Sequence, residues 1–415
     1  LADAGVNVLV FGEEFTELAS ELQTRGDKTA IQHWIQVHGE TLDGAVDYDD
    51  WRGSSSTNEP EIEGSGDDLV FIMYTSGTTG LPKGVMHSHD TVLWGNITNA
   101  TTADMRHSDR FLNSLPLFHV GALTPVITSV FIGGSITLMK NFDPVEAWNL
   151  IRDEKIQTTL MVPIMLQFML LTYDADSHDT TTLRNIISGA SPVPVSLIET
   201  YTGMGIEIHQ VYGLTETGGP ACIISSEDAI SRAGSTGKAF TFTEVRVVDQ
   251  NGTTCKPNEP GEVQVKGSHI MVGYWNQPEA TDAAIVDGWL KTGDVATMDA
   301  DGFVTIVDRV KDMLISGGEN VYPAEIENVL LAHDKINDAG VIGIPSEKWG
   351  ESPLAVIVRA DESISAEDVM AHCVGKLAPF KTVKAVEFVE EIPRNASGKI
   401  LKRQLREQFN YKSSD

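Results

Sequence analysis

The chain has 415 residues, of which 41% are hydrophobic and 21% are charged, and its formal net charge is −29. This length exceeds one ordinary core and predicts two or three domains. The acidic balance argues against binding to nucleic acid or to an anionic membrane, because both require a positive field on the protein. No apolar run is long enough to cross a bilayer, so no membrane span is expected.

The cysteine pattern suggests neither a metal site nor a redox motif. Cys222, Cys255 and Cys373 lie far apart and form no CxxC pair. Isolated cysteines are usually buried hydrophobic residues, and a reducing cytoplasm is the simplest setting for them. Because the start of the chain also lacks the basic flank of a signal peptide, we expect a cytoplasmic protein.

In chain order, the first predicted element is a strand within residues 1–10. Residues 51–68 are polar and rich in Gly, Ser, Glu and Asp, which predicts a loop or linker. The continuous apolar run at 69–74 is typical of a buried strand, and a helix is expected from about Asp90.

The middle of the chain predicts two different patterns of structure. Between about Asp90 and Gly219, short apolar runs alternate with longer mixed segments, which indicates an α/β domain. Residues 234–309 change to short β segments with hairpin-like turns at 249–252 and 299–302.

The last hundred or so residues predict a compact α/β unit. Tyr322 and Pro323 have the pattern of a helix start, because proline is favoured in the first helical turn. Ser365 and Asp368 have the spacing of a capping box before another helix. We place a domain boundary near residues 308–311.

The strongest local signal is the segment 74–84, which reads YTSGTTGLPKG. Its glycines let the backbone approach a ligand closely, while hydroxyls and free N–H groups surround phosphate oxygens and a lysine adds positive charge. It is not a Walker A loop, because the spacing GxxxxGK[ST] is absent. We therefore predict a different phosphate-binding loop, made by Thr75, Ser76, Gly77, Thr78, Thr79 and Lys83.

Four further motifs follow in order along the chain: 211–217 (VYGLTET), 288–294 (GWLKTGD), 308–323 (DRVKDMLISGGENVYP) and 393–400 (PRNASGKI). Together with 74–84, they resemble the signature segments of the acyl-adenylate-forming superfamily. The likeness covers nearly the whole chain and is nearest in appearance to fatty-acyl-CoA and feruloyl-CoA synthetases of the acyl-CoA synthetase branch. HExxH, GxSxG and strand-linked GxGxxG motifs are absent.

The resemblance implies roles for the nucleotide-binding residues. Tyr212, followed by Gly213, would pack on adenine, and Thr215 would contact the α-phosphate. Glu216 would help to hold Mg²⁺, which agrees with the preference of this hard cation for carboxylate oxygen. Asp294 would accept hydrogen bonds from both ribose hydroxyls.

The same resemblance assigns residues to the domain junction and to catalysis. Arg309 would hold the ribose and the junction, and Lys311 falls at the hinge. Gly317 and Gly318 would let the backbone pass close to the pantetheine arm of coenzyme A. Lys399 matches the catalytic lysine, which bridges the acid and the α-phosphate as charge develops between them.

Two segments would border the acyl group. His119, in the segment 115–121 (LPLFHVG), is expected beside the acyl and pantetheine channel and is counted with the catalytic residues. Gly189 and Ala190, in the segment 188–192, resemble the wall of the acyl pocket, and Gly213 is expected to flank the same pocket. Their small size either leaves room for a substrate or serves close packing. The tryptophan that closes the pocket in the acetyl-CoA branch is not seen, so we expect a medium-chain, long-chain or aryl acid.

The resemblance also implies the architecture, an α/β fold in two domains. Residues 1–309 would form a large layered α/β domain with a β-rich subdomain, which binds ATP and the acyl group. Family members carry roughly a hundred residues before the point that corresponds to Leu1, so this domain is expected to be N-terminally truncated. Residues 310–415 would form a small mobile α/β domain that carries the catalytic lysine.

The implied activity is that of an AMP-forming acid–thiol ligase, which makes acyl-AMP and then acyl-CoA. It would use Mg²⁺, ATP and CoA with a small-molecule carboxylic acid, without nucleic acid, and a homodimer is allowed. Two alternatives stay open: an adenylation domain that serves a carrier protein, and a truncated nucleotide-binding protein without turnover. No carrier domain follows within the 415 residues, which favours the CoA ligase.

Overall fold

The computed structural model describes residues 1–26, 29–75, 82–191, 193–232, 234–394 and 400–409. Five of the predicted site residues lie outside these ranges: Ser76, Gly77, Thr78, Thr79 and Lys399.

The strands are, in chain order, β1 (Val8–Gly12), β2 (His33–Val37), β3 (Val46–Asp47), β4 (Leu69–Thr75), β5 (Lys83–Ser88), β6 (Arg110–Asn113), β7 (Ser135–Leu138), β8 (Thr158–Met161), β9 (Asn185–Gly189), β10 (Glu207–Tyr212), β11 (Cys222–Ile224), β12 (Lys238–Ala239), β13 (Glu244–Val248), β14 (Gly261–Lys266), β15 (Gly273–Tyr274), β16 (Ile285–Val286), β17 (Trp289–Met298), β18 (Val304–Arg309), β19 (Leu314–Ser316), β20 (Glu319–Val321), β21 (Ile336–Ser346), β22 (Gly350–Arg359) and β23 (Ala385–Phe388).

The helices are, in chain order, α1 (Thr16–Thr24), α2 (Tyr48–Gly53), α3 (His89–Thr102), α4 (Val120–Phe131), α5 (Pro144–Asp153), α6 (Pro163–Thr172), α7 (Val195–Gly203), α8 (Ser226–Ala229), α9 (Pro278–Ala284), α10 (Pro323–Leu331), α11 (Ala366–Cys373) and α12 (Lys402–Gln408). None of these described helices is long and apolar enough to span a membrane.

The chain divides into two compact units, one of residues 1–90 with 271–282 and the other of residues 91–270 with 283–415. The first unit contains a parallel sheet in the order β1-β2-β3 and an antiparallel sheet in the order β15-β5-β4. The predicted strand at 69–74 is present as β4, but the prediction that it is buried is wrong. Because β4 lies at the edge of a three-stranded sheet, Leu69, Val70 and Tyr74 are exposed and only Met73 is buried.

The second unit is built on a seven-stranded sheet in the order β12-β11-β10-β9-β8-β6-β7. Its β10, β9, β8, β6 and β7 run parallel, as expected for the predicted α/β domain. Trp148 and Tyr201 lie in its core with no exposed surface, and each satisfies its polar atom. The Trp148 indole donates to the carbonyl of Met169 at 2.9 Å, and the Tyr201 hydroxyl donates to the carbonyl of Leu166 at 2.9 Å.

A β-rich region follows, as predicted for residues 234–309. The strands β13-β14-β17-β16 form one sheet, and β18 pairs with β17. Both predicted turns are present: Gly252 N–H donates to the carbonyl of Asp249, and Gly302 N–H donates to the carbonyl of Asp299. The long strand β17 therefore brings the end of the 288–294 motif against β18.

The C-terminal part has the sheet order β20-β19-β22-β21, with β23 paired to β22, and α10 and α11 contribute to its core. The predicted helix start at Pro323 is confirmed. The capping box is confirmed as well, because Ser365 Oγ accepts from Asp368 N and the Asp368 carboxylate accepts from Ser365 N. The predicted domain boundary between residues 309 and 310 stays a prediction.

Candidate active site

The predicted phosphate loop is framed by a hairpin of the first unit. Thr75 ends β4 and Lys83 begins β5, and the two residues are cross-strand partners. The Thr75 hydroxyl donates to the carbonyl of Lys83 at 3.5 Å. The Lys83 ammonium lies 4.7 Å from the ring centroid of Tyr274, which is cation–π geometry. Both ends of the loop are thus held, while residues 76–81 lie outside the described ranges.

In the second unit, the predicted acyl-pocket segment and the VYGLTET motif begin on neighbouring parallel strands. Gly189 at the end of β9 lies beside Val211 of β10. A Cβ atom on Gly189 would lie 2.5 Å from the carbonyl oxygen of Val211, so this glycine is required by close packing. Ala190 follows with φ of 69°, which turns the chain away from the sheet. Carboxyl ends of parallel strands are the usual ligand edge of such a sheet.

The motif continues as a tight turn after β10. A Cβ atom on Gly213 would lie 1.4 Å from the carbonyl oxygen of Gly219, so only glycine fits there. Residues Thr215–Thr217 form a 3₁₀ turn, inside which the buried Thr217 hydroxyl accepts from Leu214 N at 3.0 Å. Gly213 is therefore required by the geometry of the turn. In this turn, Thr215 and Glu216, which were predicted to bind the α-phosphate and Mg²⁺, are partly exposed.

This turn has the donors for a magnesium ion that arrives with a nucleotide. Glu216 supplies a carboxylate and Thr215 a hydroxyl. Mg²⁺ is commonly held by one or two carboxylates and completes its shell with substrate phosphates and water. Among the described residues, no group of three or more His, Cys, Asp or Glu side chains could hold a metal by itself. The residues present fit a cation shared with the substrate.

Tyr212 and Asp294 meet although they belong to different sheets. The Tyr212 hydroxyl donates to Asp294 Oδ2 at 2.7 Å. Asp294 is only 8% exposed, and Thr292 Oγ1 accepts a hydrogen bond from Asp294 N at 3.1 Å. On β18, Arg309 faces Asp294 directly, with its Nε 3.5 Å from Oδ1. The structure therefore brings together three of the predicted nucleotide-binding residues.

Burial dominates the protonation of this cluster. It raises the pKa of Tyr212 well above its ordinary value, and the negative charge of Asp294 acts in the same direction. Burial also raises the pKa of Asp294, while the hydrogen bond from Tyr212 and the charges of Arg309 and Lys311 oppose that rise. The phenol is consequently a permanent donor near neutral pH, and the carboxylate depends on its donors to stay ionised.

The predicted hinge residue lies among other charges. Lys311 is exposed, and its pKa is lowered, first by local desolvation and then by the neighbouring Arg309. Next to it, Asp312 pairs with Arg406 at 3.1 Å. Asp308 Oδ2 accepts from Ala324 N at 2.8 Å, which connects β18 to the first turn of α10.

The Gly317 and Gly318 pair forms the turn of the hairpin between β19 and β20. Both residues have positive φ angles, 63° and 86°. Gly317 N–H donates to the carbonyl of Trp349 at 2.8 Å. A Cβ atom on Gly317 would lie 2.8 Å from the Trp349 ring, so the indole covers this glycine.

His119 is the N-cap residue of α4, but its side chain makes no capping hydrogen bond. The residue is exposed, and local desolvation of the imidazole lowers its pKa, so the ring is neutral at pH 7. Its neighbour Phe118 is also largely exposed, with 66% of its surface accessible. The predicted channel residue therefore lies at an open helix start.

Sequence reasoning missed several residues that support these motifs. Thr292 lies inside a recognised motif, and only its neighbour Asp294 was singled out. The contact of the Trp349 ring with Gly317 was not predicted from the sequence either. Thr124 and His269, which contact the turn after Tyr212, carry no sequence signal that could have identified them.

Comparison with known families decides what this arrangement belongs to. Residues 1–275 match the model described as AMP-binding enzyme, and residues 325–399 match the one described as AMP-binding enzyme C-terminal domain. The chain belongs to the AMP-binding enzyme family.

Relatives of this AMP-binding enzyme are similar over almost its whole length. FadD13, a long-chain-fatty-acid–CoA ligase of Mycobacterium tuberculosis, is 41% identical, over 99% of this chain and 80% of the relative. A feruloyl-CoA synthase of an Amycolatopsis species is 37% identical over the same shares. The O-succinylbenzoate coenzyme A synthetase of Bacillus subtilis, solved with ATP and magnesium, has a TM-score of 0.85 at 32% identity, over 97% of this chain and 80% of that one.

These matches confirm three predictions made from the sequence. The family is the predicted adenylate-forming one, and the relatives lie in its acyl-CoA synthetase branch. The enzyme class, an AMP-forming acid–thiol ligase, and the α/β fold are confirmed as well. The acid and the roles of individual residues are not decided by them.

Proposed function

We propose that this AMP-binding enzyme joins a carboxylic acid to coenzyme A in two steps, through an acyl-adenylate. The observation that carries the proposal is the contact of Tyr212 and Arg309 with the buried carboxylate of Asp294. Each carboxylate oxygen has two acceptor sites, so a pair of ribose hydroxyls can donate to Asp294 without displacing Tyr212. In this proposal, the Tyr212 ring packs against the adenine.

In the first step, a carboxylate oxygen of the acid attacks the α-phosphorus of ATP. The bond between that phosphorus and the bridging oxygen breaks, and pyrophosphate leaves. Thr215 contacts the α-phosphate, and Lys399 adds a positive charge between the two reacting anions. Glu216 would hold a magnesium ion together with the phosphates, and that ion would supply positive charge that reduces the repulsion between the anions. Positioning and charge stabilisation do the work, without a protein nucleophile.

In the second step, residues 310–415 rotate about Lys311 relative to residues 1–309. Lys399 leaves the site, and the Gly317–Gly318 turn replaces it. The thiol of CoA releases its proton to the solvent and its sulfur attacks the acyl carbon; the bond from that carbon to the AMP oxygen breaks, and AMP leaves with the thioester formed. Gly318 has a positive φ at the hairpin turn and open space where a Cβ atom would stand, so it offers the pantetheine arm backbone without a side chain, which supports this role.

The acid is proposed to be aryl, of the feruloyl type, or a medium-chain or long-chain fatty acid. The names of the relatives support this range, since they include a long-chain-fatty-acid–CoA ligase and a feruloyl-CoA synthase. Gly189 and Gly213 do not support it, because both are explained by close backbone packing. The preference for larger acids therefore rests on the relatives and on the absence of the acetyl-branch tryptophan.

The test measures AMP and pyrophosphate formed from Mg·ATP with a panel of acids: acetate, hexanoate, palmitate, ferulate and 2-succinylbenzoate. We expect AMP, strict dependence on magnesium, and a higher kcat/KM for hexanoate or ferulate than for acetate. ADP as the product would contradict adenylate formation, and acetate as the best substrate would contradict the proposed range of acids.

The thiol acceptor is tested separately, with CoA and with a phosphopantetheinylated carrier protein. Thioester formation with CoA supports the ligase, and formation only on the carrier supports the adenylation-domain alternative. Asp294→Asn serves as a control, because it keeps the shape of the site but removes the negative charge. Nucleotide binding without any pyrophosphate release would support the non-catalytic alternative.

A further inference from the structure

His269 lies behind the turn that carries Thr215 and Glu216 and has no exposed surface. Its Nδ1 lies 2.8 Å from the carbonyl oxygen of Thr217, and its Nε2 lies 2.8 Å from the Thr243 hydroxyl. A carbonyl can only accept, so Nδ1 carries the proton, and in the neutral ring Nε2 accepts from Thr243. The ring thus connects the turn to the residue before β13.

The carbonyl that His269 contacts is part of the fold of the turn. Gly218 N–H donates to the carbonyl of Thr215, and Gly219 N–H donates to the carbonyl of Leu214. The carbonyls of Thr217 and Gly218 accept neither of these bonds, so they need other donors. His269 donates to that of Thr217, and the Thr124 hydroxyl donates to that of Gly218 at 2.7 Å.

From these contacts we infer that His269 is a positioning residue for the reaction, which fixes the turn so that Thr215 and Glu216 face Mg·ATP. The effect of His269 on catalysis rests on the proposed function, but its effect on the conformation of the turn does not. Thr124, Thr243 and His269 come from separate parts of the chain. The turn is therefore held by contacts with other segments as well as by its own hydrogen bonds. Burial of His269 keeps the ring neutral and its pKa lowered, which preserves this arrangement of donors.

A merely structural histidine would stabilise the core without affecting one substrate more than another. The positioning role predicts a difference between substrates, because the contacts proposed for Thr215 and Glu216 are with Mg·ATP and not with the acid. The informative variants are His269→Leu, which removes both hydrogen bonds, and His269→Asn, whose amide donor takes approximately the place of Nδ1. Thr243→Val is the matched control, since it removes the partner of Nε2 but leaves the bond to Thr217.

In His269→Leu, we expect KM for Mg·ATP to rise about tenfold or more, which corresponds to loss of a buried hydrogen bond, while KM for the acid stays unchanged. His269→Asn should recover most of that loss, and Thr243→Val should stay within about threefold of the unaltered enzyme. Equal changes in both KM values, or an Asn variant as poor as the Leu variant, would overturn the inference.

A second readout does not depend on turnover. Hydrogen–deuterium exchange of the amides of Gly218 and Gly219 reports directly on the turn, and we expect it to be about tenfold faster in His269→Leu but not in Thr243→Val. Unchanged exchange in the Leu variant would overturn the inference even if activity fell. If the unaltered protein forms no AMP with any acid, the proposed function fails, and the exchange result together with calorimetric Mg·ATP affinity still decides the role of His269.

Discussion

The hydroxyl of Tyr212, at the end of β10, donates to the carboxylate of Asp294 on β17 at 2.7 Å. This bond links the seven-stranded sheet to the β-rich region. The sequence predicted that Tyr212 packs on the adenine and that Asp294 binds the ribose. Their contact means that the two parts of the site are set relative to one another before a ligand binds.

Tyr212→Phe should therefore weaken ATP binding through Asp294. The hydrogen bond from Tyr212 lowers the pKa of Asp294, and burial raises it, so removal of the hydroxyl raises that pKa further. Only the ionised carboxylate accepts from both ribose hydroxyls, so binding is lost as pH falls through the pKa of Asp294. We expect KM for ATP to rise about tenfold at pH 7 and the acid limb of kcat/KM to move to higher pH. An unmoved acid limb would contradict this coupling.

The two proposed half-reactions should be separable by single substitutions. Lys399→Ala should slow pyrophosphate release from acid plus ATP by roughly a hundredfold to a thousandfold, because a preorganised charge is lost from the transition state. It should leave thioester formation from synthetic acyl-adenylate and CoA nearly intact. Lys311→Pro should do the reverse, because a fixed φ hampers rotation at the hinge.

Both rates are measured on both variants. If Lys399→Ala slows the two half-reactions equally, or if Lys311→Pro spares thioester formation, the domain rotation does not operate in this enzyme.

The buried ion pair between Lys402 and Glu327 should matter for stability. Its atoms are 2.9 Å apart, and the side chains are only 10% and 14% exposed. Lys402→Met leaves a buried carboxylate unpaired and should lower the free energy of unfolding by about 3–5 kcal/mol. Arg403→Met is the control, because its pair with Glu407 is exposed and should contribute about 0–1 kcal/mol.

The loss in Lys402→Met should depend on pH in a defined direction. Burial already raises the pKa of Glu327, and Lys402 opposes that rise. Without the lysine, the folded-state pKa lies further above the unfolded one, so this group favours the folded state at low pH and loses that effect as pH rises. Chemical denaturation should show a smaller loss at pH 5 than at pH 7, and a loss independent of pH would contradict the argument.

Gly213→Ala should disable the turn, whereas another glycine tolerates the same change. The new Cβ atom at position 213 would overlap the carbonyl oxygen of Gly219, so the turn must open. Gly203, at the end of α7, has open space where a Cβ atom would stand. Gly203→Ala should raise stability by about 0.5–1 kcal/mol and leave activity unchanged, while Gly213→Ala should lose Mg·ATP binding by calorimetry. Normal affinity of Gly213→Ala for Mg·ATP would contradict this prediction, because it would show that the turn accommodates the Cβ atom.

The motifs were predictable from the sequence because their residue types sit close together in short segments. The contact of Tyr212 with Asp294 was not, because the two residues are 82 positions apart in the chain. The same holds for His269, whose bonds to Thr217 and Thr243 depend on how separate sheets are placed. Secondary structure followed the predicted order, with helix starts and capping at Pro323 and Ser365 confirmed.

Two expectations were based on side-chain type alone, and the course of the backbone decided both of them. An apolar run at 69–74 suggested burial, but position at the edge of a small sheet exposes most of β4. Small residues near the acyl group suggested room for a substrate, but Gly189 and Gly213 face carbonyl oxygens of neighbouring segments. Composition alone does not tell which atoms lie opposite a residue.

The hairpin of β4 and β5 also has a consequence for folding during synthesis. Its third strand, β15, pairs Gly273 with Met86 and Tyr274 with Val85. During synthesis, both edges of this hairpin leave the ribosome unpaired, and the β5 edge stays open until every strand of the seven-stranded sheet has been made. Contacts between such distant segments form slowly, and unpaired edges invite aggregation. The frame of the phosphate loop is therefore completed late in biogenesis, and nascent chains shorter than residue 274 should be the ones that most need a chaperone.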